Sequence, residues 1–421
     1  MSSMTKTIEL KRVVITGMGV VSPLGHDVQE FWQNLLAGKN GIDMITGFDT
    51  KEFTTKFAGE IKGFSPEEFM DRKESRRMDR FTQFALVAAE KAIEHSQIDF
   101  DNEDKDRIGV IVSSGIGGMQ TFEQQSRALF ERGPRRISPF FIPMMIADIA
   151  PGRISIRYGL RGPNFSTVSA CASSSHAIGE AFRTIQRSDA DVMLCGGAEA
   201  TVTPMGIGGF NAMKALSTRN DEPQKASRPF DKQRDGFVMG EGGGVIILES
   251  LEHALDRGAE IWGEMAGVGY TADAHHITAP APGGEGATLA MQKALRDGDL
   301  APEDIDYVNT HGTSTPYGDI AETNAIKAVF GDHAYKMNIN STKSMIGHLL
   351  GASGSVEFVA TTMSVREDAV HPTINQEEPD SECDLDYTAN EYRKRPVRAA
   401  ISNSFGFGGH NVSIVVKKYQ N

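Results

Sequence analysis

The chain has 421 residues, a net charge of −13, 44 glycines and an aromatic fraction of only 8%. Such a length holds one large α/β unit or two to three average domains, and the acidic balance excludes a general affinity for nucleic acid. No stretch approaches the roughly 18 consecutive apolar residues of a membrane span, and M-S-S-M-T-K-T-I-E-L-K-R lacks the apolar run of a signal peptide. The expectation is a soluble, cytoplasmic protein without a membrane partner. Cys171, Cys195 and Cys383 are odd in number, with no C-x-x-C pairing, so neither a disulfide framework nor a metal site is expected.

In chain order, K-R-V-V-I-T-G-M-G-V-V-S opens as a buried strand running into a glycine turn. G-M-G lacks the third glycine and the ribose-binding acid of a dinucleotide site. Helical periodicity covers Asp27 to Ala37 and then Ser75 through His95, where Phe81, Phe84, Ala85, Ala88 and Ala89 recur at three-to-four spacing. Arg107 to Ser113 is an apolar strand ending in S-G-I-G-G, and Asp148 to Tyr158 is a helix. Thr167 to Ser169 reads as the end of a strand, and the small residues after Cys171 as a closely packed helix. Asp191 to Cys195 is a parallel-type strand in which Cys195 is inert core.

After Gly258 the pattern starts again: a strand over Ile261 to Tyr270, a helix over Glu285 to Arg296, a strand over Tyr307 to Thr310, and helices over Asp319 to Phe330 and Leu349 to Val365. D-G-F-V-M-G-E-G-G-G-V-I-I-L-E and N-S-F-G-F-G-G-H-N-V-S-I-V-V both set a glycine cluster before an apolar strand. C-A-S-S-S-H-A-I-G and G-A-S-G-S-V-E-F are both small-residue helix starts. The pattern predicts an α/β protein of two duplicated halves, 1–258 and 259–421, with buried parallel sheets and a site where the halves meet.

Three stretches carry candidate chemistry. Cys171 falls at a helix N-terminus, whose free N–H groups and partial positive charge favour a thiolate. N-T-H-G-T-S-T-P-Y-G-D exposes His311 in a turn of glycine and hydroxyl residues. N-S-T-K-S-M-I-G-H-L-L-G-A-S-G carries Lys343 and His348 ahead of the helix with Glu357. Basic residues cluster in D-R-K-E-S-R-R-M-D-R and after a Gly-Pro turn at Arg135 and Arg136, a charge pattern that suits an acidic macromolecular partner.

Taken in order, S-A-C-A-S-S, T-H-G-T-S-T-P-Y-G-D, N-S-T-K-S-M-I-G-H-L-L-G-A-S-G and N-S-F-G-F-G-G-H-N resemble the β-ketoacyl-acyl-carrier-protein synthases, over about Arg12 to Val416. The resemblance implies a thiolase-like fold of five α-β-α-β-α layers, a homodimer, and condensation of an acyl-cysteine intermediate with a malonyl thioester. No resident cofactor is implied, since the substrates ride on the phosphopantetheine of acyl carrier protein. It implies Cys171 as nucleophile, His311 and His348 as donors to the malonyl thioester oxygen, and Lys343 and Glu357 as supporting residues. On the same resemblance the backbone N–H groups of Cys171 and Phe407 would form the oxyanion hole. By the resemblance Ile116, Phe210, Phe405 and Phe407 match positions that line or gate an acyl tunnel, and Phe141 and Ile142 positions that a partner subunit contributes. It further implies that Thr313 and Thr315 bind substrate, and that Arg72, Lys73, Arg76, Arg77, Arg135, Arg136 and Lys214 dock the carrier protein.

Within this superfamily a thiolase needs a second cysteine in the C-terminal glycine loop, which here is F-G-F-G-G-H-N. The initiating synthases use Cys-His-Asn, whereas this chain supplies His348. Polyketide ketosynthases commonly carry glycine where Ser314 stands, and non-catalytic chain-length factors lack the nucleophile. His410 departs from the threonine often found in this loop.

Overall fold

The computed structural model describes residues 9–420; the apolar-run reading of the first residues lies largely outside them. No helix among the described residues is long and apolar enough to cross a membrane.

Ten strands make one continuous mixed sheet: β1 (Val13–Val21), β2 (Ile108–Ser113), β3 (Asn164–Phe165), β4 (Val192–Glu199), β5 (Gly242–Ser250), β6 (Gly263–Ala272), β7 (Tyr307–Asn309), β8 (Asn338–Asn340), β9 (Ala399–Gly406) and β10 (His410–Lys417). The order is β8-β7-β9-β10-β6-β1-β5-β4-β2-β3. Each five-strand half repeats the same path. From the centre outward, β1-β5-β4-β2-β3 and β6-β10-β9-β7-β8 both run with two antiparallel junctions followed by two parallel ones. The halves join where Val13, Val14 and Ile15 pair with Met265, Glu264 and Gly263.

Four helices complete the repeat: α1 (Arg80–Ser96), α2 (Ser173–Gln186), α3 (Glu285–Asp297) and α4 (Ser353–Glu367). Alternation along the strands assigns the layers. Val245 and Ile247 of β5 face α1, whereas Ile246 and Leu248 face a central core holding Ile178 and Phe182 of α2 and Phe358 and Val359 of α4. In the other half Val412 and Ile414 enter that central core, and Ile401 and Val415 pack with Met291 and Ala294 of α3. Five layers result, α1, sheet, α2 with α4, sheet, α3, as the resemblance implies. Residues Ser353 to Val365 of α4 are buried on every side, which explains its lack of an amphipathic stripe.

The glycines of G-M-G serve packing. A Cβ on Gly19 would lie 2.0 Å from the carbonyl oxygen of Ala88 in α1, and one on Gly269, its counterpart in β6, 2.0 Å from that of Ala290 in α3.

Several expected elements change. The helix expected from Ser75 to His95 is two helices, Arg72–Ser75 and α1, because Asp71 and Asp79 each cap a new start with their carboxylates. Thr167 to Ser169 is not strand; β3 ends at Phe165, and the chain reaches Cys171 through a turn in which Ser169 N–H bonds Ser173 Oγ. The sheet is mixed rather than parallel: β4 pairs parallel with β2 but antiparallel with β5.

Candidate active site

Cys171 sits in a single 3-10 turn, Ala170–Ala172, that feeds α2. Ala170 adopts φ +52°, a strained value for a residue with a side chain. The second half reproduces the device, with Leu350 at φ +48° opening the turn Leu350–Ala352 ahead of α4 and Gly351 in the place of Cys171. A Cβ on Gly351 would come within 2.2 Å of Gly115 N, so that position carries no side chain. Only one copy of the duplicated turn holds a nucleophile.

His311 follows β7, and its turn is held by Glu322, whose carboxylate accepts from the N–H groups of His311 and Gly312 at 2.9 and 2.8 Å. His348 lies between the helical turn Lys343–Ile346 and α4, its backbone tied to Val238 and Gly240. The two imidazoles stand edge to face, centroids 5.2 Å apart at 86°. Cys171 Sγ and one nitrogen of each histidine all lie within 4.8 Å of one another. The three side chains expected to share a site therefore do.

Burial sets their charge. The thiol of Cys171 lies among Ile207, Leu216, Phe237, Met239 and Leu350, and loss of water pushes it up to about 11, with the Phe407 N–H, Lys343 and its own N–H pulling the other way. The helix start does not leave a standing thiolate, as the sequence suggested, because desolvation of the sulfur is the larger effect. Burial also holds His311 and His348 well below the ordinary histidine value, reinforced by the charge of Lys343. Both are neutral near pH 7. His348 Nδ1 is 2.8 Å from Ser353 Oγ, and His311 Nδ1 is buried without a partner.

Lys343 Nζ pairs with Glu357 Oε1 at 2.5 Å, both side chains fully buried. Burial raises the Glu357 carboxyl to about 7 against the pull of Lys343.

The glycine-rich loop after β9 closes over the cysteine. A Cβ on Gly406 would meet Ser169 O at 2.8 Å and Cys171 N at 3.1 Å, so glycine alone lets this backbone lie against the nucleophile. These residues open into a cavity of about 440 Å³ lined by Cys171, His311 and His348, with Phe210, Phe405, Phe407, Thr313 and Thr315 in its wall. Ile116, Phe141 and Ile142 are not in that wall; Ile116 is partly exposed beside Glu199, and Ile142 faces outward.

Two wall residues were not anticipated. Phe237 packs on the His348 ring at 5.3 Å and on Phe210 at 5.4 Å. Glu322 reaches back from the helix Pro316–Phe330, and an acid nearly two helical turns into the helix that follows the T-H-G-T-S-T turn is the available signal. Cys195 and Cys383 are buried away from the cavity, as expected for the former.

Arg72, Lys73, Arg76, Arg77, Arg135, Arg136 and Lys214 are all exposed, and among the described residues none forms an ion pair. The Arg77 guanidinium lies 4.7 Å above the Phe140 ring, joining the first basic cluster to the segment after the second. Lys214 stands between Met213 and Ala215, both in the cavity wall.

This architecture and constellation define a ketosynthase of the thiolase-like class. Residues 10–254 match the family profile "Beta-ketoacyl synthase, N-terminal domain" and residues 262–377 match "Beta-ketoacyl synthase, C-terminal domain". The chain belongs to the beta-ketoacyl synthase family. It is 54% identical to 3-oxoacyl-[acyl-carrier-protein] synthase 2 of Synechocystis sp., covering 98% of this chain and 99% of that one. It is also 54% identical to the synthase 2 of Staphylococcus aureus, covering 97% and 99%. Among solved structures, a beta-ketoacyl synthase from Burkholderia phymatum superposes with a TM-score of 0.91 at 37% identity, over 98% of this chain and 100% of that one. A chain of a type II polyketide acyl-carrier protein complex with its ketosynthase gives 0.91 at 36%, with the same coverage.

Proposed function

We propose that the protein joins an acyl thioester to malonyl-acyl carrier protein, giving β-ketoacyl-acyl carrier protein and carbon dioxide in type II fatty-acid elongation. The reading rests on the meeting of Cys171, His311 and His348 within 4.8 Å in one cavity. In the first step Cys171 sulfur attacks the acyl thioester carbonyl while its proton passes to a neutral imidazole. The oxyanion takes hydrogen bonds from the N–H groups of Cys171 and Phe407. The tetrahedral adduct expels the pantetheine sulfur, which leaves with that proton.

Malonyl thioester then enters. As carbon dioxide departs, its electron pair forms an enolate whose oxygen accepts from His311 and His348. With Ser353 Oγ as the donor in its 2.8 Å contact with Nδ1 of His348, the proton of that ring is on Nε2, free for the enolate. The enolate carbon attacks the acyl-cysteine carbonyl, and the carbon–sulfur bond breaks to release Cys171 as thiolate, which takes a proton from solvent to restore the thiol. Burial, reinforced by the charge of Lys343 paired with Glu357, keeps both rings unprotonated and so able to act as neutral donors.

Phe210, Phe405 and Phe407 flank the acyl chain, and Thr313 and Thr315 the carrier arm. The seven free cations suit an acidic carrier protein. A homodimer is part of the reading: β3 is the free edge of the sheet, and Ile156, Phe165 and Val168 beside it expose apolar side chains that a second copy would cover. Ile116, Phe141 and Ile142 would then meet the tunnel at that interface. The halves divide near Gly258, between the two family matches, and the groups transferred arrive on the carrier, so no resident cofactor enters the scheme.

A polyketide ketosynthase is the second reading, favoured by the polyketide complex at 36% identity. Ser314 and the 54% identity to synthase 2 proteins weigh for elongation. A non-catalytic chain-length partner does not suit a chain that keeps Cys171 and both histidines. Mixing the protein with acyl-acyl carrier protein should place one acyl group on Cys171 by mass spectrometry, and malonyl-acyl carrier protein should then release a chain two carbons longer. No adduct on Cys171 would end the enzyme reading.

A further inference from the structure

The segment from Ser227 to Gly240 is built into both histidine loops. Ser227 Oγ donates to Lys343 O at 2.7 Å, and Val238 O accepts from His348 N at 2.7 Å. On the other side lies Ser314, fully buried and at φ +68°, a conformation that costs a side-chain-bearing residue energy unless its surroundings impose it. They do. Its N–H bonds Asp319 Oδ1 at 3.2 Å, its carbonyl accepts from Gly236 N at 3.2 Å, and its hydroxyl accepts from Arg228 N at 3.0 Å.

The next two carbonyls go to one buried guanidinium. Arg234 Nε donates to Thr315 O at 3.1 Å and Nη2 to Pro316 O at 3.0 Å, while Nη1 reaches Asp231 O at 2.7 Å and Asp380 Oδ2 at 2.6 Å. Asp319 Oδ2 lies 3.6 Å from Nε. A planar fork satisfies two adjacent carbonyls in a way an ammonium cannot. The turn so held carries Thr313 and Thr315, whose hydroxyls stand 3.1 Å apart in the cavity wall.

We infer that Arg234 is a positioning residue: through the strained turn at Ser314 it fixes Thr313 and Thr315 for the carrier arm of the substrate. The inference rests on the reading of the cavity as a ketosynthase site. The polar contacts of Arg234 include none to Cys171, His311 or His348, so its loss acts on arm binding and not on the reactive sulfur.

The test compares Arg234→Gln, Arg234→Lys and Ser314→Ala with wild type. Arg234→Gln should raise KM for malonyl-acyl carrier protein about 10-fold or more, with kcat within about 3-fold, because a small misplacement of a binding group weakens engagement. Alkylation of Cys171 by iodoacetamide, which uses no arm, should stay within about 2-fold of wild type. Arg234→Lys restores charge without the fork and should recover only part of KM. Ser314→Ala, a milder change that keeps the fold, should raise KM about 3-fold. Hydrogen exchange at the Ser314 amide should quicken about 10-fold in Arg234→Gln while peptides spanning α2 are unchanged. Unaltered KM, complete recovery by Arg234→Lys, or alkylation falling in step with KM would overturn the inference. If wild type itself fails to condense, the functional reading falls, and unchanged exchange at Ser314 would separately remove the role of Arg234.

Discussion

Lys343 and Glu357 form a buried ion pair 14 positions apart in the chain, and the lysine is the charge that keeps His311 and His348 neutral after burial has begun the work. Removing it has a defined sign. In Lys343→Ala both imidazoles lose a neighbouring cation, so their protonation moves to higher pH. The acidic limb of malonyl decarboxylation should shift to higher pH. The pH profile of carbon dioxide release checks this, and a limb that stays put or moves down would contradict it.

Gly406 makes a second, steric prediction. The Cβ of Gly406→Ala would press on Ser169 O and Cys171 N at 2.8 and 3.1 Å, both backbone atoms with no freedom to yield. The loop must lift, taking the Phe407 N–H from the sulfur. Acylation of Cys171 should fall about 100-fold, the scale of losing one oxyanion donor, while thermal stability changes little. A variant acylating at the wild-type rate would show that the loop does not supply the donor.

Much of this was legible in the chain. The meeting of Cys171, His311 and His348 is legible in the motifs around them, S-A-C-A-S-S, T-H-G-T-S-T-P and K-S-M-I-G-H, each of which stands between two regular elements. The repeat was legible in its glycine clusters, although its clearest mark, Gly17 and Gly19 against Gly267 and Gly269, passed for a failed nucleotide motif. What escaped depends on distance through space. The protonation of Cys171 is set by apolar residues from four separate stretches, among them Ile207, Leu216, Phe237 and Leu350, and no local pattern announces a desolvated sulfur. The break before α1 was marked by Asp79, a cap hidden inside an otherwise helical periodicity.

The basic surface yields a prediction in salt and substrate. Arg76 and Arg77 are exposed and unpaired among the described residues, on a chain of net charge −13. Reversing both, Arg76→Glu with Arg77→Glu, should raise KM for carrier-protein substrates about 10-fold or more and flatten its salt dependence. Small pantetheine thioesters should be handled as by wild type. Equal losses with both substrate types would remove the docking role.

Away from the cavity, a buried charge cluster ties stability to pH. Glu249, buried in β5, accepts from Arg257 at 2.6 and 2.9 Å, from His253 at 2.6 Å and from Thr16, while His253 Nε2 lies 2.9 Å from Glu103. Despite its burial the Glu249 carboxyl is held down at about 2 by these donors, and hydrogen bonding to Glu249 raises His253 above its ordinary 6.5. Glu249 therefore contributes stability that is complete above its unfolded value of 4.5 and is lost as pH falls toward about 2. The contribution of His253 is complete below 6.5 and is lost as pH rises through its raised value. Both act together between those limits. Glu249→Gln leaves Arg257 without its buried anion and should cost about 3 kcal/mol in urea unfolding near pH 6, with a deficit that shrinks as wild type is itself titrated toward pH 2. A deficit independent of pH would mean that shape, not charge, holds this cluster.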